Sequence, residues 1–133
     1  FEGLAVIADT YSGDEQPVFA LTGQAGSSYK MGDLGKAVGK CLQPLRNQDN
    51  TIGMRISWMS NSLKVEFDGQ DGGQTWKTCL ESRNLQLPKE GYFGLSASTS
   101  KTADQVEILS MRVQEIHSAD SNQELMQEIR RLV

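Results

Sequence analysis

IGMRISWMSNSLKVEFD, residues 52–68, is the stretch that decides the fold. Ile52, Met54, Ile56 and Trp58 recur at every second position, with Gly53, Arg55 and Ser57 between them. Side chains alternate across a strand, so this spacing puts an apolar row on one face and a polar row on the other. Leu63, Val65 and Phe67 repeat the pattern against Lys64, Glu66 and Asp68. Ser60 and Asn61 separate the two runs, and turn formers at that spacing predict a hairpin with one buried face. The fold class that follows is all-β and antiparallel.

Strand signals continue on both sides of the hairpin. GLAVIADTYSGD, residues 3–14, opens on an apolar run that fills both side-chain parities, the mark of a strand covered on both faces. It ends in Asp9, and a carboxylate at the lip of such a strand is costly to bury without a partner. Asp9 is therefore expected at a rim, facing water, a cation or a polar ligand; the alternative is that it begins a turn completed by Ser12 and Gly13. Val18-Phe19-Ala20-Leu21 is a second short apolar run behind Pro17. Residues 23–39 are glycine-rich and read as a long exposed loop, the kind of segment in which proteins place binding groups.

Downstream, FDGQDGG at residues 67–73 is turn chemistry, and residues 76–80 resume a strand that carries Cys79. A strand is also predicted over residues 92–98, where Phe93, Leu95 and Ala97 alternate with Tyr92, Gly94 and Ser96. The last strand holds Val106 and Ile108 on one parity, then Leu109, Met111 and Val113 on the other. That change requires either a β-bulge or burial on both faces. After Ile116 the pattern changes. Ser121 with Glu124 three residues on is a capping box, and Leu125, Ile129 and Leu132 follow at helical spacing. The chain therefore divides into a β domain over residues 1–116, a linker over 117–120 and the start of a helix over 121–133. That helix either continues into an oligomerising, coiled-coil stalk or packs back on the domain.

The totals exclude several functions. Thirteen basic residues against seventeen acidic ones give a net charge of −4, with no basic cluster to meet phosphates, so nucleic acid is not an expected partner. No apolar run approaches the roughly 20 residues of a membrane helix, which puts any anchor outside this segment. Phe1 already leads into a strand, so further strands are expected upstream. Cys41 and Cys79 belong to no CxxC, and the single histidine, His117, is far from both, so zinc and thioredoxin-type chemistry are poorly supported. A Cys41–Cys79 disulfide is the better reading and implies an oxidising compartment, against two buried free thiols.

Several segments together resemble the L-type lectins of the secretory pathway, the membrane-anchored cargo receptors of endoplasmic reticulum and Golgi. GLAVIADTY is similar to their strand ending in an aspartate, a small residue and an aromatic. Cys41-Leu42-Gln43-Pro44-Leu45-Arg46-Asn47 resembles the family's cysteine followed by Arg-Asn. Arg55-Ile56-Ser57-Trp58 and Leu63-Lys64-Val65 fit its central hairpin, and GYFGLSAST from Gly91 with Glu107-Ile108-Leu109-Ser110 is the most specific match. The resemblance implies a concanavalin A-like β-sandwich (jelly roll) of roughly twice this length, of which this chain is the C-terminal half. It also implies a paired Cys41 and Cys79, a luminal location in a single-pass membrane protein, and recognition of high-mannose glycans or glycoprotein cargo.

The same resemblance nominates site residues and shows departures. The family's strand-end aspartate binds calcium with the aromatic two residues on and an asparagine two further. Asp9 and Tyr11 match, but Gly13 stands in the asparagine's place, leaving Asp14 as a substitute. A second calcium aspartate, beside a sugar-contacting histidine, belongs to the loop before the first cysteine; here Asp33 remains and the histidine is missing. The glycine-rich loop whose backbone approaches mannose reads Ser100-Lys101-Thr102. The expected metal set is Asp9, Tyr11, Asp14 and Asp33, the sugar set is Asp9, Ser100, Lys101 and Thr102, and both are expected to be weakened. Concanavalin-like sandwiches also host glycoside hydrolases, and Glu66, Asp68 and Asp71 superficially resemble one such carboxylate set. Asp71 lies beyond Gly69 in a turn, so a charged outer face is the better reading and no enzyme is expected.

Overall fold

The computed structural model describes residues 3–10, 15–23, 37–97, 106–117 and 123–132. Among the described residues eight strands run in the order β1 (Gly3–Ala8), β2 (Gln16–Gly23), β3 (Gly39–Gln43), β4 (Ile52–Met59), β5 (Ser62–Asp68), β6 (Trp76–Ser82), β7 (Glu107–His117) and β8 (Gln123–Leu132). They form a three-stranded sheet, β1-β2-β3, and a five-stranded sheet, β6-β5-β4-β8-β7. Every pairing is antiparallel. No helix occurs among the described residues.

The hairpin is as its sequence requires. Met59 faces Ser62, so Ser60 and Asn61 make a two-residue loop, with φ of 49° and 63°. Positive φ at both central residues is the type I′ condition, the turn whose twist matches the flanking strands. Ile52, Ile56, Leu63, Val65 and Phe67 enter the core with Val18 and Ala20 of β2 and Leu80 of β6. Leu4, Val6 and Ala8 of β1 pack against it from the edge. β1 itself is only half-buried throughout. Burial on both parities falls instead to its neighbour β2, where Phe19 and Leu21 are buried as well as Val18 and Ala20. An edge strand has one neighbour to shield it and a middle strand has two.

Two bulges adjust which residues point inward. Val65 stands opposite Leu80 and Glu66 opposite Thr78, leaving Cys79 as the extra residue of β6. A bulge re-aims side chains locally, and here both Cys79 and Leu80 meet the core. Cys79 is bonded to Cys41 of β3, with Cα atoms 5.6 Å apart, so the bridge ties one sheet to the other. In β7, Ile108 faces Arg131 and Ser110 faces Arg130, leaving Leu109 as the extra residue. This is the bulge demanded by the parity change, and Leu109 and Val113 are exposed rather than buried on a second face.

Two expected elements are not seen among the described residues. Residues 91–97 join no ladder, and Phe93 and Leu95 are 49% and 44% exposed. Alternation makes a strand only where another strand's edge is in reach, and among the described residues none pairs with this run. The helix expected over residues 121–133 is not seen either: Gln123–Leu132 is strand β8, paired with β4 on one side and β7 on the other. Two ladders satisfy its backbone groups, and tertiary context overrides local propensity.

Candidate functional site

The rim of the three-stranded sheet begins where β1 ends. The Asp9 amide donates to the Pro17 carbonyl at 3.0 Å, carrying the β1–β2 register one step past Ala8 and Val18. Asp9 is thereby held, half-buried, at the strand end where the sequence places it. Tyr11, Asp14 and Asp33 lie outside the described residues, as do Ser100, Lys101 and Thr102. Among the described residues no three His, Cys, Asp or Glu side chains converge on a point that could hold a metal. Calcium takes six to eight oxygens, and the described residues bring a single expected ligand, Asp9, to this rim.

The neighbouring corner is fixed by a residue that sequence reasoning missed. Gln16, at the start of β2, is 1% exposed, and its Oε1 accepts the amides of Leu45 at 2.7 Å and Arg46 at 3.1 Å. Those donors belong to the chain leaving β3, where Asn47 has a φ of 56°. The segment from Cys41 to Asn47 is thus held by the disulfide at one end and by Gln16 near the other. Its partners lie 29 and 30 residues away in sequence, and nothing local in the sequence marks the glutamine.

The carboxylates of β5 and the following turn have other work. Both Glu66 oxygens accept from Arg55, Nε and Nη2 each at 3.1 Å, a bidentate pair directly opposite in register. The Arg55 guanidinium lies 4.3 Å from the centre of the Trp76 ring. Trp76 reaches across β5, close enough that a Cβ on Gly53 would stand 3.2 Å from its ring and 3.1 Å from Asp68 Oδ2. Asp68 Oδ1 accepts the Gly53 amide at 3.0 Å. Trp58, by contrast, sends its indole N–H to the Leu85 carbonyl at 3.2 Å.

Asp71 organises the turn. Its carboxylate accepts the Thr75 hydroxyl, the Thr75 amide at 3.2 Å and the Gln74 amide at 3.0 Å. The Thr75 hydroxyl above all, then the amides, hold this carboxyl below the ordinary aspartate value of 3.8. Retaining glycoside hydrolysis needs a protonated acid and a second carboxyl about 5–5.5 Å away. Here Glu66 is engaged by Arg55, Asp68 accepts the Gly53 amide, and the Asp71 carboxyl is held below its ordinary value, not raised as an acid catalyst's would be. A depressed folded-state pKa contributes stability that is present above the unfolded value and is lost as pH falls through the folded one. The Thr75 amide resonance is therefore expected to titrate with a midpoint below 3.8. Asp71→Asn should remove that step, and a midpoint at or above the ordinary value would contradict the assignment.

Comparison with known proteins places these features. The legume-like lectin family matches residues 1–123. Vesicular integral-membrane protein VIP36 of Homo sapiens is 31% identical over 121 residues, covering 85% of this chain and 34% of that protein. VIP36-like protein of Bos taurus is 27% identical over 125 residues, 87% of this chain and 36% of its own length. Protein ERGIC-53 of Homo sapiens is 23% identical over 118 residues, 83% of this chain and 23% of its own. The chain thus spans about a third of the length of the first curated relatives it matches. No solved structure matches it significantly. With two antiparallel sheets, an inter-sheet disulfide and a match over nearly its whole length, the chain belongs to the legume-like lectin family.

Proposed function

We propose that this chain is a lectin-like, non-enzymatic module of a secretory-pathway cargo receptor, with weakened calcium and mannose sites. The family match over residues 1–123 carries the reading. Relatives described as vesicular and integral to the membrane favour a lumen of the endoplasmic reticulum or Golgi, as does the Cys41–Cys79 bridge. On this reading residues 1–116 form the C-terminal half of a larger sandwich, and the membrane anchor lies elsewhere in the protein. The cation site comprises Asp9, Tyr11, Asp14 and Asp33. The sugar is met by Asp9 and the Ser100-Lys101-Thr102 loop. Gly13 weakens the site because glycine supplies only its carbonyl where a side-chain oxygen is wanted.

A second reading, a sugar-independent protein-interaction module, is favoured by the same Gly13 and by the missing histidine before Cys41. The two separate on immobilised high-mannose glycoprotein. The lectin reading expects weak retention of the full-length luminal domain that mannose competes and chelation of calcium reduces. Equal retention on the enzymatically deglycosylated ligand, unaffected by mannose, would replace it with the interaction module.

A further inference from the structure

Three glutamine side chains tie the corner beside the Asp9 rim to the other sheet. Gln48, just past the corner, donates from Nε2 to the Arg46 carbonyl at 2.8 Å. Its Oε1 accepts Gln70 Nε2 at 2.7 Å, from the turn that follows β5. Arg46 is therefore held at both backbone groups, its amide by Gln16 and its carbonyl by Gln48. A glutamine amide both donates and accepts, so one side chain can pass a hydrogen bond on. Gln70 is itself fixed. Its φ is 59°, a left-handed conformation that an L side chain rarely adopts. Its amide reaches Asp68 Oδ1 at 3.4 Å, the oxygen that also accepts the Gly53 amide at 3.0 Å. Such a conformation persists where the surroundings over-determine it. At the other end, Gln16 is followed by Pro17, whose carbonyl accepts the Asp9 amide at 3.0 Å. Alongside the Cys41–Cys79 bridge, then, a line of hydrogen bonds runs from β4 and β5 to the strand end that presents Asp9. Linked hydrogen bonds strengthen one another and act as a unit.

We infer that Gln16, Gln48 and Gln70 are positioning residues for Asp9: a polar brace that sets the rim of one sheet from a turn of the other. Gln16 holds the Leu45 and Arg46 amides, and Gln48 and Gln70 hold the same segment from its far side. Releasing that far side loosens Gln16, then Pro17 and the Asp9 amide bonded to it. That this rim meets a glycan rests on the function proposed above; the brace itself does not.

Gln48→Met and Gln70→Met keep the length of the side chain and remove its hydrogen bonds. Amide exchange is read in the complete lectin-like domain of the full-length protein. Each variant should speed exchange of the Arg46 and Asp9 amides by about five-fold, the worth of one neutral hydrogen bond. The β4–β5 hairpin amides should be unchanged. Because the bonds lie in series, the double variant should exchange no faster than the faster single one, whereas independent contacts would multiply to about 25-fold. Retention on immobilised high-mannose glycoprotein should fall in all three. Unchanged Asp9 exchange in both single variants would overturn the inference, as would multiplied effects in the double variant. Faster Asp9 exchange with undiminished, mannose-competed retention would also overturn it, since the brace would then set nothing at the site. If the unsubstituted domain ignores mannose, the lectin reading fails instead. Asp9 exchange then decides alone: faster in both variants supports the brace, and unchanged removes it.

Discussion

Replacing Cys41 and Cys79 together by serine is expected to lower the unfolding free energy by about 4 kcal/mol, from the entropy of closing a loop of this length in the unfolded chain. The two cysteines are 38 residues apart in sequence, and they join β3 to β6, the strands at which the two sheets meet most directly. Domains of this kind are stable by only about 5–15 kcal/mol, so the loss is a large share of the total. The bulge that leaves Cys79 unpaired opposite β5 contributes nothing to the β5–β6 ladder, and its role is to turn the thiol towards β3. Urea unfolding of the oxidised, reduced and doubly substituted proteins measures the effect. The reduced and serine forms should agree, with a midpoint well below the oxidised form. A difference under roughly 1 kcal/mol would show that the sheets hold each other without the bridge, at the low end of measured disulfide effects.

Gln16→Leu is expected to cost roughly 1–3 kcal/mol, the desolvation penalty of a buried amide left without an acceptor. Oε1 accepts two backbone donors, and Leu45 is itself buried at 1% exposure, so its amide has no route to water. The leucine keeps the volume and removes the hydrogen bonds, which separates the polar contribution from packing. Gln16→Glu retains an acceptor oxygen and should recover part of the loss above the carboxylate range. Beyond stability, the substitution should loosen residues 44–47, read as faster exchange of the Leu45 and Arg46 amides. Unchanged exchange at both would mean that the corner is held by other contacts.

How far these features could be read in advance depends on whether their partners are near in sequence. The β4–β5 hairpin was legible to the residue, because alternation and the Ser60-Asn61 turn lie within 17 residues. The β7 bulge was one of two readings that the change of parity left open. The disulfide was the better of two readings of two cysteines outside any metal-binding motif, with free thiols as the alternative, and the family resemblance favoured the pair. Gln16 was not legible, since its function is defined by amides on another strand. Nor was the burial of Phe19 and Leu21, which follows from β2 taking the middle of its sheet. Residues 92–97 and β8 depart from expectation in opposite directions. The first has a strand's alternation and no ladder, and the second has a helix's signature and two ladders. A strand is a relation between segments, and one segment's periodicity cannot report whether a neighbour is present.

The site is less legible than the fold for a related reason. Asp9 could be placed because a carboxylate ends an apolar strand, and the β1–β2 ladder does carry it to the sheet's rim. Tyr11, Asp14, Asp33 and the 100–102 loop rest on resemblance, and their convergence with Asp9 is a proposal. The hydrolase resemblance was set aside on the turn position of Asp71; that Arg55 takes both oxygens of Glu66 is a feature no sequence pattern announced.

The most direct test of the account is calorimetric titration of the complete lectin-like domain of the full-length protein with calcium, then with a high-mannose oligosaccharide, alongside Asp9→Asn. If the proposed site holds, with glycine at 13 where the family resemblance expects an asparagine, calcium should bind no more tightly than roughly 0.1–1 mM, the weak end of extracellular calcium modules. Glycan binding should be correspondingly weak. Micromolar calcium affinity, with glycan binding abolished in Asp9→Asn, would contradict the account and show an intact lectin site.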